Sequence, residues 1–311
     1  MGVNLEGRVA IITGAGAGLG REYALLFGRL GAKVVVNDLG ASLQGEGASG
    51  SAAEAVVEEI RSAGGDAVAS FANVADPEQA QGIVQTAIDE YGQIDIVVNN
   101  AGILRDSSFP KMTLKNFEDV LAVHLKGAYH LTHAAWPLMV AQKYGRVIFT
   151  TSPAGTNGNF GQTNYGAAKM GLVGMMNCLA LEGRKHNVLV NAISPSALTR
   201  MTETVPMGEL SQWLRADLVS PAVAWLASDR CNDTATIIAA GGGFFAQHRV
   251  FESHGVQFDP AEPVTIEMFD EAYGRIVDLD GAKPVKPGPL GDLIPRLIAM
   301  GRMTAETENI S

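Results

Sequence analysis

Cysteine is scarce in this chain, with only Cys178 and Cys231 among 311 residues. Two such residues, far apart in sequence, make neither a disulfide framework nor a metal-ligand set, so a stapled secreted scaffold and a zinc module are excluded and a reducing compartment is favoured. Basic residues are also few: 23 Lys and Arg face 33 Asp and Glu, for a net charge of -10. Nucleic acid and anionic membrane surfaces need basic patches, so neither is expected as the main partner. Charged residues make up only 18% of the chain and hydrophobic ones 47%, enough for a substantial core. No uncharged apolar run reaches membrane-spanning length. The opening Met1-Gly-Val-Asn-Leu-Glu6 has no basic-apolar leader pattern and breaks the myristoylation pattern at Glu6. Asn309-Ile-Ser311 is not a peroxisomal address, so a cytoplasmic location is the expectation.

What is present concentrates between Ser152 and Lys169. The apolar, β-branched run Gly145-Arg-Val-Ile-Phe-Thr-Thr151 reads as a buried strand that delivers Ser152 to its end. A helix follows, on which Tyr165 and Lys169, four residues apart, share one face. A free phenol, with a pKa near ~10, is a poor base at neutral pH; an adjacent fixed cation favours the phenolate. Ser152 would then hold a substrate oxygen between its hydroxyl and Tyr165. Tyr-x-x-x-Lys alone is more often an ordinary helix pair, so the reading depends on Ser152 and on a nucleotide site upstream.

That upstream site opens the chain. Arg8-Val-Ala-Ile-Ile-Thr13 reads as a short buried strand, followed by Gly14-Ala-Gly-Ala-Gly-Leu-Gly20 and a helix from Arg21 to about Leu30. Glycines in a strand-to-helix turn let backbone N–H groups approach a pyrophosphate at the positive end of the helix. Gly14, Gly18, Leu19 and Gly20 are therefore candidate cofactor contacts. The second strand, Lys33-Val-Val-Val-Asn37, ends at Asp38, 18 residues after Gly20. A carboxylate there accepts from an adenosine ribose and repels a 2′-phosphate, and no Lys or Arg lies between Lys33 and Arg61. NAD is favoured over NADP; the lesser alternative is that Asp38 simply caps a turn.

Residues 39–51 form a Gly- and Ser-rich insertion, read as a loop. Helices near 52–63 and 77–91 then alternate with strands near 67–72 and 94–98, leading to Asn99-Asn-Ala-Gly102. Alternation of this kind implies an α/β fold, a Rossmann-type doubly wound parallel sheet of about seven strands, with ligands at the strand C-termini. A long helix from about Leu114 to Gln142 carries His124, and the Tyr165 helix runs to about His186. The strand Val188–Ile193 leads into Ser194-Pro-Ser-Ala-Leu-Thr199, and a last strand spans Thr236–Ala240.

Thr13-Gly-x-x-x-Gly-x-Gly20, Asn99-Asn-Ala-Gly102, Ser152, Tyr165-x-x-x-Lys169 and Pro195 to Thr199 resemble the short-chain dehydrogenase/reductase family over residues 7 to about 245. Asn37-Asp-Leu-Gly40 with its insertion, Gly102-Ile-Leu-Arg-Asp106, Val123-His-Leu-Lys-Gly127 and Arg200-Met-Thr-Glu-Thr204 are similar to a narrower group, the (3R)-hydroxyacyl-CoA dehydrogenase units of peroxisomal multifunctional enzymes type 2, also called 17β-hydroxysteroid dehydrogenases type 4. The resemblance implies Ser152, Tyr165 and Lys169 as catalytic, with Lys169 and Tyr165 also at the cofactor. It implies Asn73, Val74, Asn100, Ala101, Gly102, Pro195 and Thr199 as cofactor neighbours, and homodimers or homotetramers packed through the two long helices. It further implies reversible NAD-dependent oxidation of (3R)-3-hydroxyacyl-CoA, with a steroid hydroxyl as the alternative substrate. The family usually has Asn at the position of His124, which is either a relay member or a structural histidine.

After the last expected strand, which ends at Ala240, 71 of the 311 residues remain. The organisation expected is a catalytic dinucleotide-binding domain, 1–245, and a helical extension, 246–311. Ile266, Phe269, Tyr273 and Ile276 stand at helical spacing, as do Leu293, Ile294, Leu297 and Ile298. These stripes either pad their own domain or cover a neighbouring subunit and wall a pocket for an acyl-pantetheine.

Overall fold

The computed structural model describes residues 2–42, 44–47, 49–198, 208–285 and 293–302. Two compact units divide at residues 247 and 248. In the first, β1 (Val9–Thr13), β2 (Lys33–Asn37), β3 (Asp66–Ser70), β4 (Ile96–Asn99), β5 (Gly145–Thr150), β6 (Val188–Pro195), β7 (Ile237–Gly241) and β8 (Phe244–His248) form one sheet, ordered β3-β2-β1-β4-β5-β6-β7-β8. The first seven strands are parallel throughout. The eighth strand was not expected. It returns through Gly242 and Gly243, whose φ values of 59° and 80° are those of a two-residue turn that only glycine adopts without strain.

Between the strands run α1 (Gly18–Arg29), α2 (Ser51–Ser62), α3 (Pro77–Tyr91), α4 (Leu114–Leu121), α5 (Gly127–Gln142), α6 (Pro153–Thr156), α7 (Thr163–Gly183) and α8 (Ser220–Ala227). The strands are apolar on both faces because both are covered. One core packs Ile12, Tyr23, Phe27, Val36, Ile60 and Leu226 on the side of α1, α2 and α8. The other packs Val97, Leu131, Met139, Phe149, Leu172 and Met176 on the side of α3, α5 and α7. Because β1 pairs with both β2 and β4, the direction of winding reverses beside β1, and the C-terminal ends of those strands open a crevice there.

The expected single helix 114–142 is in fact two, joined by a π-helical turn at Ala122–Lys126 that contains His124. Such a turn inserts one residue into the helical ladder and re-aims the side chains on it, and periodicity alone does not reveal it. The second unit contains β9 (Phe251–Glu252) paired antiparallel with β10 (Lys283–Pro284), and the helices α9 (Ile266–Ile276) and α10 (Leu293–Ala299). Thr265 caps α9 by accepting from Met268 N–H at 3.3 Å. On α9 only Ala272 is buried, while Ile266, Phe269 and Tyr273 stay exposed.

Candidate active site

The site begins where β1 ends. Gly14 has φ 63° and Gly18 φ 56°, backbone that a side chain would strain. A Cβ on Gly20 would lie 2.6 Å from Asn100 Nδ2, so Gly20 lets α1 approach its neighbours rather than facing the crevice. No side chain caps α1, which leaves the first-turn N–H groups at Gly18, Leu19 and Gly20 open to an anion. Thr13 ties this turn to the next strand: its hydroxyl accepts from Asn100 N–H and Ala101 N–H, both at 3.0 Å. Asn100 donates back to the Thr13 and Gly14 carbonyls at 2.9 and 3.2 Å. Asn99 points the other way and donates to Thr132 at 3.0 Å, so of the Asn-Asn pair one residue braces the turn and one braces α5.

A cleft of about 380 Å³ lies over this turn. Gly14, Gly18, Leu19, Asp38, Asn73, Val74, Asn100, Ala101 and Gly102 line it, all of them candidates from the sequence. Asp38 accepts from Gly16 N–H at 2.8 Å and from Gly40 N–H at 2.7 Å, so it orders the glycine turn and the start of the insertion together. The insertion, read only as a loop, brings Ser42 and Glu46 together beside the cleft, Ser42 N–H donating to the Glu46 carbonyl at 2.8 Å. Gly45 donates to the Ser42 carbonyl at 2.9 Å, and Ser42, Gln44 and Gly45 line the wall with Ile103 and Val123. No sequence signal separated these residues from an ordinary polar loop. The cradle of open amides, glycines and a carboxylate fits a dinucleotide.

Tyr165, Lys169 and Pro195 lie outside this cleft, and Thr199 falls outside the described residues. Pro195 closes β6, opposite Ala240. Ser152 follows β5 and caps the short helix α6, accepting from Ala154 N–H at 3.1 Å, with Pro153 at the first helical position where its missing N–H costs nothing. Tyr165 occupies the first turn of α7, and Lys169 lies one turn on, its Nζ 5.4 Å from the Tyr165 ring centre. Lys169 is 3% exposed and donates to the Thr150 carbonyl at 2.5 Å.

Burial sets the ionisation of this pair. It lowers Lys169 from 10.5 to about 7 and raises the Tyr165 phenol above its ordinary value, a rise that Asp106 reinforces and hydrogen bonding with Ser152 opposes. This corrects the expectation that a neighbouring cation dominates the phenol: desolvation of both partners outweighs their attraction, as it does for close buried charges. A lysine lowered to about 7 beside a partly buried phenol makes a pair suited to moving a proton.

His124 stands edge-on to Tyr165, with ring centres 5.1 Å apart. Its Nε2 lies 2.8 Å from the Ile103 carbonyl and 3.0 Å from the Ile103 N–H, and its buried Nδ1 has no partner. Desolvation, then the Lys169 charge, hold His124 well below 6.5, so the ring is neutral. A pocket of about 10 Å³, the size of one water, lies between His124, Lys169, Thr13 and Asn99. Gly102 is there for His124: a Cβ at 102 would lie 3.0 Å from both ring nitrogens. The histidine is thus both a packed residue and a neighbour of the phenol.

Among the described residues no cluster of three metal-ligating side chains occurs, and no helix is long and apolar enough to cross a membrane.

Comparison with known proteins gives one family match, the short chain dehydrogenase model, over residues 8–209. A short-chain type dehydrogenase/reductase of Mycobacterium tuberculosis is 48% identical, over 90% of this chain and 97% of that one. The peroxisomal multifunctional enzyme type 2 of Drosophila melanogaster is also 48% identical, over 89% of this chain but only 46% of its own length. The structure of that Drosophila enzyme superposes with a TM-score of 0.79 at 39% identity, covering 96% of this chain and 50% of the larger one. A 7α-hydroxysteroid dehydrogenase complexed with NADH and a 7-oxo bile acid superposes with a TM-score of 0.70 at 30% identity, covering 77% of this chain and 95% of that one.

Proposed function

This chain belongs to the short chain dehydrogenase family and is an oxidoreductase acting on CH–OH groups, and from that premise we propose that it oxidises (3R)-3-hydroxyacyl-CoA to the 3-ketoacyl-CoA with NAD. The observation that carries the reading is the pairing of partly buried Tyr165 with buried Lys169, with the Ser152 hydroxyl close enough to bias the phenol. The cleft over Gly14 to Gly20 suits the cofactor, whose nicotinamide, when bound, accepts hydride from the carbinol carbon.

The residues of this chain do the rest. Ser152 donates to and orients the substrate oxygen. Tyr165 passes its own proton to Lys169 and, as phenolate, takes the hydroxyl proton as the C=O bond forms; the Lys169 ammonium stabilises the phenolate until that proton arrives. His124 fixes the approach of the Gly102 strand end to that pair. The acyl-CoA assignment leans on the 44–50% identity to peroxisomal multifunctional and hydratase-dehydrogenase-epimerase enzymes, of which this chain spans less than two thirds. A steroid hydroxyl is the second reading, motivated by the hydroxysteroid dehydrogenase neighbour. A panel of (3R)-3-hydroxyacyl-CoAs and hydroxysteroids with NAD and NADP, followed by reduced-nicotinamide absorbance, separates them; faster oxidation of the steroids throughout would overturn the acyl-CoA assignment.

Asp38 is the basis for NAD. Its carboxylate faces the cleft and is fixed by two backbone N–H groups, so a 2′-phosphate would meet a held negative charge. The wild-type protein is expected to prefer NAD by at least about tenfold in kcat/KM, the cost of one close like-charge contact, and Asp38→Ala to narrow that ratio. Equal kcat/KM for the two cofactors in the wild type would remove the argument.

We propose a cytoplasmic homodimer or homotetramer. The free thiols at Cys178 and Cys231 suit a reducing compartment, and Tyr129, Leu138, Met170 and Leu181 leave an exposed apolar surface along α5 and α7 that fits a second copy. The exposed stripe Ile266, Phe269 and Tyr273 of α9 suits a further subunit contact that walls a long acyl pocket. Truncation after Gln247 is then expected to spare NAD binding and short-chain turnover while lowering the long-chain to short-chain kcat/KM ratio several-fold. An unchanged ratio and an unchanged oligomer by light scattering would reduce the second unit to padding.

A further inference from the structure

Asp106 takes no part in the chemistry above, yet its charge reaches the Tyr165 phenol. The segment 105–107 is stapled to the residues that open α7. Ser107 N–H donates to the Gly161 carbonyl at 2.9 Å, Gln162 Nε2 to the Asp106 carboxylate at 2.7 Å, and Asn164 Nδ2 to the Arg105 carbonyl at 3.1 Å. Gln162 is itself fixed, accepting from Asn159 Nδ2 at 2.9 Å. Gln162 is the N-cap of α7 and Tyr165 lies three residues on, the spacing that puts two positions on one side of a helix. The carboxylate is therefore pinned beside the turn that presents the phenol; the residue is exposed, while partial burial of the carboxyl raises it above its ordinary value against the opposing hydrogen bond from Gln162. It has no ion pair among the described residues, unlike Asp119, which is shared by Arg105 and Lys115.

The charged or titratable groups facing Tyr165 are then Lys169 on its own helix, His124 on the π turn and Asp106 on the stapled segment. Lys169 is buried beneath the phenol and the His124 ring is neutral. On the solvent side, from which a substrate arrives, the fixed charge is negative.

We propose that Asp106 is a specificity-determining residue: its carboxylate turns away alcohols that carry a negative charge beside the carbinol, so that the site accepts 3-hydroxyacyl thioesters and esters and refuses free 3-hydroxy acids. This deepens the alcohol-oxidation reading and rests on it. A 3-hydroxy acid and its ester differ only in the charge two carbons from the reacting centre, so the filter acts where the two are otherwise alike. Two like charges about 6 Å apart at an effective dielectric of 20–40 correspond to a factor of about 10 to 100.

The experiment compares kcat/KM for methyl (3R)-3-hydroxybutyrate and for the (3R)-3-hydroxybutyrate anion at pH 8 with saturating NAD. The wild-type ratio is expected to exceed about ten at low salt and to fall several-fold as NaCl rises to about 0.5 M, because an exposed charge is screened. Asp106→Asn, which keeps an acceptor for Gln162, is expected to cut the ratio at least about fivefold by raising activity on the anion, whereas Asp106→Glu preserves it. A ratio indifferent to both salt and Asp106→Asn overturns the proposal; were Asp106→Asn not to fold, the wild-type salt series decides alone. Quenching of bound NADH fluorescence by acetoacetate and by methyl acetoacetate gives the same comparison without turnover. Tighter binding of the ester with no oxidation of either alcohol would retain the filter and sink the alcohol-oxidation reading, while equal binding overturns the filter.

Discussion

Tyr165→Phe is expected to lower kcat by at least about a hundredfold, and up to about ten-thousandfold, the range for loss of a positioned acid/base. NADH affinity should stay within about twofold. The substitution removes one hydroxyl and keeps the ring against which the His124 edge packs at 5.1 Å. Neither the turn at Gly14 nor the Asp38 carboxylate touches the phenol, so cofactor binding has no reason to follow turnover. Stopped-flow measurement of hydride transfer with the best substrate of the panel, beside fluorescence titration of NADH, checks both halves. Turnover within tenfold of wild type would remove Tyr165 from the chemistry.

The second large effect runs in two directions. Lys169→Met is expected to reduce kcat by about two to three orders of magnitude and, at neutral pH, to make the protein more stable. Burial lowers Lys169 from 10.5 to about 7. In that window the unfolded chain binds a proton that the folded chain does not, so wild-type stability rises with pH from about 7 towards 10.5, and below 7 the full penalty of a buried ammonium applies. The displacement corresponds to an upper limit of about 5 kcal/mol. Loss of the bond to the Thr150 carbonyl offsets part of it, leaving a gain of roughly 1–3 kcal/mol and several degrees in Tm. Because methionine does not titrate, the gap in Tm between variant and wild type should shrink as pH rises from 7 to 10. A lower Tm for Lys169→Met at pH 7 would show that the lysine is a structural support and not a group held at a cost for its chemistry.

Much of the fold was legible because its signals are local. β2, α3 and the body of α7 follow from a β-branched run, a helix start at Pro77, and a long apolar stretch after Lys169. The grouping of Ser152, Tyr165 and Lys169 was legible for the same reason, since the three lie within one strand-turn-helix unit. What escaped depends on contacts distant in sequence. Thr13 reads as the end of a strand, and only the fold brings Asn100 and Ala101 to its hydroxyl. The π turn at His124 joins α4 to α5, and no period of 3.6 residues encodes it. β8 depends on a glycine pair that in a sequence reads as a loop. The phenol was misjudged because spacing reports who is adjacent but not how dry the neighbourhood is.

The contact between Gly102 and His124 also constrains the order in which this site can change. A side chain at 102 would collide with the imidazole, and the imidazole fits only over a residue without one. Position 124 can shrink to a smaller polar residue while Gly102 stays, but position 102 cannot grow first. The two positions are therefore epistatic: a glycine at 102 keeps both forms of residue 124 open, and any larger residue at 102 closes the way back to histidine.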